Sequence, residues 1–307
     1  VGFAAARALL PPESFRGSCE RKEPFDFAGA ASFAFAISAL LSSLALAQKG
    51  GWQDAVVFVT AFAGAGVLGF FVWWESRVEY PLLDLKIFRI PAFVLGNSAR
   101  WLSFITMSVS NLLMPFFLQL AMGLDPLRTG ILVAPTSVAM ALLAPLTGWM
   151  SEKFAPERLC AVGLAVNGVA LIFLTFLDPG WSAVEVIFGL GLMGVGMGIF
   201  QTPNNMLLMS SVPRHRLGVG SSVLSIVRSL GYSIGATLAT VIVSYFLLIA
   251  TGATSLQSLT GGSQIGVDAP VLAAFLRGYH YAFLIAAAVA FAGAVISSWP
   301  ARRVDFD

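Results

Sequence analysis

Arg228 stands about ten residues into an apolar run that begins near Gly218, and no other basic residue lies so deep in such a run. In the run before it, Gln201, Asn204 and Asn205 precede Pro213 by a similar distance. If the two runs are antiparallel helices rising about 1.5 Å per residue, a guanidinium and three amides share one depth, about halfway through a hydrocarbon layer about 30 Å thick. An ionisable group at that depth is expensive and marks a functional site by default. Two uses fit the residues. Arg228 can face a central cavity and bind or gate a ligand, with Asn111 and Gln119 as further lining candidates, or it can clamp helices by bonding to amides and to a carbonyl freed by Pro203. Arg100 lies nearer the end of its run, within reach of the headgroups, and reads as a snorkelling anchor.

The remaining polar residues exclude most other chemistry. No Asp or Glu lies deep in any run; Asp26 and Glu185 fall at helix ends, and His215 and His280 near interfaces. A proton relay needs a titratable group in the pathway, and the chain offers no obvious one. Cys19 and Cys160 are isolated, so neither a disulfide nor a metal site is expected. The run Gly189-Leu-Gly-Leu-Met-Gly194 matches a dinucleotide-binding pattern, but it continues through Gly196 and Gly198 inside an apolar run and lacks the strand that the motif requires. Gly194/Gly198 and Gly231/Gly235 instead read as small faces for close helix packing. Pro115, Pro135, Pro145 and Pro203 predict kinks. With no catalytic triad, paired carboxylates or phosphate loop, the chain is not expected to be an enzyme or to hold a cofactor or metal.

The elements that must position these side chains follow from composition. The chain has 307 residues, 57% of them hydrophobic and only 11% charged, and a mean hydropathy of +0.83. That is outside the soluble range. The stretches 27–47, 55–74, 101–124, 129–150, 159–177, 186–211, 229–249 and 281–299 contain no Asp, Glu, Lys or Arg. Each is near or above the roughly 20 residues that cross a bilayer, and none alternates as a barrel strand would. The expected fold is all-α: a polytopic membrane protein with eight transmembrane helices.

Threading these runs alternately collects Arg77, Lys86, Arg89, Lys153, Arg158, Arg214, Arg216, Arg302 and Arg303 on one side, with Arg7, Arg16, Arg21 and Lys22. The other side receives Lys49, Arg128 and Arg277. The positive-inside rule makes the first side cytoplasmic, with both termini there, in a cell inner membrane. The net charge of +2, without a basic run interleaved with aromatics, gives no reason to expect nucleic acid as a partner.

Composition shifts suggest four parts: 1–25, the tail of a preceding helix and a polar linker; 26–90, a two-helix hairpin and a charged loop; 91–299, six spans; and 300–307, a tail. The apolar start Val1–Leu10, with no cleavage signal, reads as the remnant of a helix, so the chain is expected to be a fragment. A polar loop near 251–276 is expected outside.

Two sets of residues resemble a known family. Gly148-Trp149-Met150-Ser151-Glu152-Lys153, followed by Arg158, resembles the cytoplasmic signature of the major facilitator superfamily, with Glu152 for the usual Asp and Ala155 for the usual Gly. Phe200-Gln201-Thr202-Pro203-Asn204-Asn205, Val212-Pro213-Arg214-His215-Arg216-Leu217-Gly218 and Met114-Pro115-Phe116-Phe117-Leu118-Gln119 look like the fourteen-helix drug:proton antiporter branch. The resemblance implies that the hairpin is the central extra pair and that 93–299 is the carboxyl-terminal six-helix bundle. It also implies that protons act through a missing amino-terminal half. Gly148, Glu152, Lys153 and Arg158 would form a gating loop, and the substrate would be a small amphipathic compound met within the lipid bilayer. The function implied is proton-coupled multidrug efflux. Rivals are a metabolite or siderophore exporter of the same fold and a non-transporting scaffold or sensor.

Overall fold

A computed structural model describes residues 26–50, 55–78, 90–212, 217–251 and 269–299; the linker at 1–25, the loop at 79–89, His215 and the tail at 300–307 lie outside the described residues, as does most of the loop near 251–276. Among the described residues every long element is a helix, and eight are long and apolar enough to cross a membrane. They are α1 (Phe27–Gly50), α2 (Ala55–Glu75), α3 (Pro91–Phe116), α4 (Pro126–Lys153), α5 (Pro156–Thr175), α6 (Ala183–Ser210), α7 (Leu217–Thr251) and α8 (Ala269–Ser298). The protein is an all-helical polytopic membrane protein.

Several helices exceed the charge-free stretches. α3 begins at Pro91 and encloses Arg100, α7 begins at Leu217 and encloses Arg228, and α8 begins at Ala269 and encloses Arg277 and His280. A charge ends a hydropathy count, but it does not end a helix whose backbone bonds continue past it.

Helix ends follow local rules. Pro91, Pro126 and Pro156 each occupy a first-turn position, where the missing N–H has no partner to lose. The Asp125 carboxylate accepts from the Arg128 backbone N–H at 2.8 Å and caps α4. Pro115 cannot donate to the carbonyl four residues back, and just beyond it α3 widens into a π turn over Phe117–Ala121 that closes at Gly123, at φ +66°.

α3, α5 and α6 form the buried centre: 61%, 56% and 50% of their spanning windows are buried, against 17% for α4. Toward the end of the bundle where α3 gives way to the π turn, the fully buried Tyr279 of α8 stacks on Phe117 at 4.9 Å and donates its hydroxyl to the Leu174 carbonyl at 3.0 Å. That bond removes the penalty of an unpaired phenol in the core.

Glycines set the closest seams. A Cβ on Gly163 of α5 would lie 2.6 Å from the Phe200 nitrogen, and one on Gly196 of α6 would lie 2.5 Å from the Asn167 nitrogen. The two backbones therefore touch. Gly231 and Gly235 do the same for α7 against Trp101, Phe104, Ile105 and Ser108 of α3, and Gly194 brings α6 onto Thr136 of α4. The small faces read from Gly194/Gly198 and Gly231/Gly235 are helix contacts; the Gly163/Gly196 seam is an additional one.

The hairpin α1–α2 is pinned internally by Gly64 against Leu40 and by the Asp26 carboxylate, which accepts from Trp74 Nε1 at 3.1 Å. It joins the rest through Phe33, Leu68 and Phe71, which pack with Phe93, Leu208, Val212, Val223 and Leu224. All three hairpin residues lie near the end where α1 begins and α2 finishes.

Candidate functional site

The polar centre is organised by α3. Asn97, Arg100 and Ser103 recur every three residues and share one helical face. Arg100 is 6% exposed. Its Nε donates to the Leu224 carbonyl of α7 at 3.3 Å, one terminal nitrogen donates to Asn205 Oδ1 of α6 at 2.6 Å, and its plane lies over the Phe104 ring at 5.0 Å. A single side chain thus ties three helices together through neutral partners.

This corrects the reading of Arg100 as a snorkelling anchor. The true helix start at Pro91 places it further from the membrane surface than the clipped count did, and the amide and carbonyl beside it are nearer than the headgroups. The clamp expected as one use of Arg228 is built by Arg100. Arg228 is exposed on α7 and has no hydrogen-bond partner among the described residues.

The other expected cavity residues separate into two groups. Asn204 is fully buried and donates to the Gly96 carbonyl at 3.0 Å, so it packs α6 on α3 and lines nothing. Asn205 is half-buried and committed to Arg100. Asn111 is exposed and lies beside the Tyr232 side chain, Gln119 is exposed in the π turn, and Gln201 is half-buried. Sequence reasoning missed Tyr232, which follows Arg228 by one turn and packs on Phe104 at 5.4 Å. It also missed Asn167, fully buried and donating to Thr106 Oγ1 at 3.1 Å.

The exposed face of α7 is polar along several turns. Ser221, Ser222, Ser225, Arg228 and Ser229 are all exposed. The hydroxyls of Ser225 and Ser229 donate to the carbonyls four residues earlier, and those of Ser221 and Ser222 to the Gly218 carbonyl. Their own helix therefore satisfies the serine donors, whereas Arg228 keeps its full donor set.

The geometry is that of a helical membrane bundle with a polar face on one side and a buried cationic clamp beneath it. The sequence profile described as Major Facilitator Superfamily matches residues 27–236, well over half of the chain. The chain belongs to the major facilitator superfamily.

Among relatives of this superfamily member, the uncharacterized transporter YebQ of Escherichia coli K12 is 31% identical over 247 residues, covering 80% of this chain and 53% of YebQ. The multidrug resistance protein Stp of Mycobacterium tuberculosis is 32% identical over 219 residues, covering 71% of this chain and 41% of Stp. The chain spans about half the length of the curated relatives it matches. A bacterial homolog to the human lysosomal transporter Spinster, solved in an inward-facing and occupied conformation, matches at a TM-score of 0.56 and 20% identity. That match covers 88% of this chain and 65% of the other, and it bears on fold alone.

In this superfamily member the expected gating residues sit where α4 meets α5. Lys153 places Nζ 3.9 Å from the Trp149 ring centroid, while Glu152 and Arg158 are exposed and form no ion pair among the described residues. Gly148 leaves room beside Thr202 of α6, whose nearest atom would lie 3.9 Å from an added Cβ.

Proposed function

We propose that this chain is part of an inner-membrane exporter that moves amphipathic, drug-like compounds outward in exchange for protons. One observation carries the reading. The exposed face of α7, from Ser221 to Ser229, holds a guanidinium about 12 Å inside the span that begins at Gly220, a placement unfavourable against lipid but suited to an aqueous cavity or a second bundle. α4 is uncovered along its length, as α1 and α2 are, with its Leu127, Ile131, Val138 and Leu142 exposed as apolar faces suited to lipid. The polar face of α7 fits a half-site completed by further helices, with alternating access produced by rocking about a site between them.

In cells stripped of their main efflux pumps, expression from the full reading frame is expected to lower accumulation of a fluorescent amphiphile severalfold, and a protonophore is expected to restore it. Unchanged accumulation refutes export, and efflux insensitive to the protonophore refutes proton coupling.

Orientation follows from charge. Arg77, Lys153 and Arg158 lie at one end of the described helices and Arg128 at the other, a bias in basic residues that supports a cytoplasmic first end. In a background lacking Cys19 and Cys160, an impermeant thiol reagent added to intact cells is expected to label Leu127→Cys and to spare Glu152→Cys. The reverse pattern would invert the topology.

A further inference from the structure

We propose that the Arg228 face of α7 binds amphiphiles that carry a negative group beside an aromatic body, an assignment of substrate class that rests on the exporter reading above.

The charge balance of the face is one-sided. Every described Asp and Glu lies at a helix end or in a connecting turn, so no carboxylate of the described bundle reaches the level of Arg228. The neighbouring guanidinium of Arg100, close enough to interact electrostatically with Arg228, makes its hydrogen bonds to an amide and a carbonyl. Its charge is therefore held without being cancelled. Two like charges with neutral partners produce a positive potential in a medium where charges are weakly screened. An approaching cation meets repulsion there and finds no acid among the described residues, whereas an anion finds a planar fork able to hold a carboxylate, sulfonate or phosphate with two parallel bonds.

The donor inventory agrees. The exposed serines have spent their hydroxyl protons on their own helix, so the free donors of the face belong to Arg228, while one turn beyond the Asn111 amide is engaged with the phenol of Tyr232. The apolar body has a platform as well. Tyr232 packs on Phe104 at 5.4 Å, and Phe104 is fixed from its other neighbour by the Arg100 plane at 5.0 Å. Charge and platform lie within one turn of each other, so a compact aromatic anion spans both.

The test uses the protein expressed from its full reading frame, purified into zwitterionic nanodiscs and titrated with two probes of one body and opposite charge, pyrenebutyrate and pyrenebutyltrimethylammonium. Tryptophan-to-pyrene energy transfer reports occupancy, and empty nanodiscs give the partition background. The anion is expected to bind at least about tenfold more tightly than the cation, the scale set by one close charge pair. Arg228→Gln, which removes no buried packing, is expected to abolish that preference, and Arg228→Lys to retain it at lower affinity because the fork is lost. Equal binding of the two probes, or a preference for the anion that survives Arg228→Gln, overturns the proposal. The readout needs no transport: absent efflux with charge-selective binding refutes the exporter reading alone, and charge-blind binding with intact efflux refutes this assignment alone.

Discussion

Gly196→Leu is expected to unfold the protein in detergent well below the temperature at which the parent chain unfolds, and to lower its level in the membrane. The added side chain has no space to enter: its Cβ already falls 2.5 Å from the Asn167 nitrogen and 2.8 Å from the Gly163 carbonyl oxygen. Backbone cannot rotate aside as a flexible side chain can, so α5 and α6 must part. Overpacking of cores typically costs about 1–3 kcal/mol, and a clash against backbone on both sides belongs at or above the top of that range. Gly196→Ala meets the same atoms and is expected to be damaging, though less so. Gly191, with open space around its Cα, is the internal control; Gly191→Ala is expected to be neutral or to gain up to about 1 kcal/mol from helix propensity. Equal melting temperatures for Gly196→Leu and Gly191→Ala would show that the seam does not hold the bundle.

The second large effect is an asymmetry at the Arg100 clamp. Asn205→Leu removes the nearest acceptor and leaves a cation with 6% exposure bound to one carbonyl at 3.3 Å. Stranding a buried charge in this way is expected to destabilise by about 3 kcal/mol. Arg100→Met removes the charge itself. It forfeits two hydrogen bonds but also the penalty of holding a guanidinium away from water, at least about 2.5–3.5 kcal/mol on insertion scales, so its net effect is expected to be near zero. The double variant is then more stable than Asn205→Leu alone. Thermal melts of the three proteins in one detergent measure this, and a double variant whose loss equals the sum of the two single losses would show that the guanidinium and Asn205 act independently.

Much of the architecture was legible because a bilayer allows few solutions. An apolar run of about 20 residues can only satisfy its backbone as a helix, so all eight spans were readable from hydropathy. The glycine faces at Gly194/Gly198 and Gly231/Gly235 were readable because small residues at helical spacing have few other uses. Depth was less readable. Arg100 interrupts its own apolar run, so the count began after it and put the membrane surface too close; the helix start at Pro91 carried the missing information. The separation of Asn204 from Asn111 was not legible either. Both are amides in apolar helices, and only the facing of α6 against α3 decides that one bonds the Gly96 carbonyl while the other looks outward. Tyr232 was passed over because a lone aromatic in an apolar helix gives no signal until Phe104, on another helix, is known to lie against it.

The attachment of the α1–α2 hairpin through Phe33, Leu68 and Phe71 gives it the mechanics of a cantilever. Its anchored end is where α2 closes at Glu75, and α2 begins at Ala55, so about 20 Å of arm extends beyond the anchor at Leu68. A tilt of about 10° at the anchor sweeps the far tip through about 3.5 Å, by the helix rise alone. Leu224, whose side chain sits in that anchor, also supplies the carbonyl that Arg100 grips. The clamp and the root of the cantilever thus share one residue of α7, so a displacement of Leu224 would act on both at once.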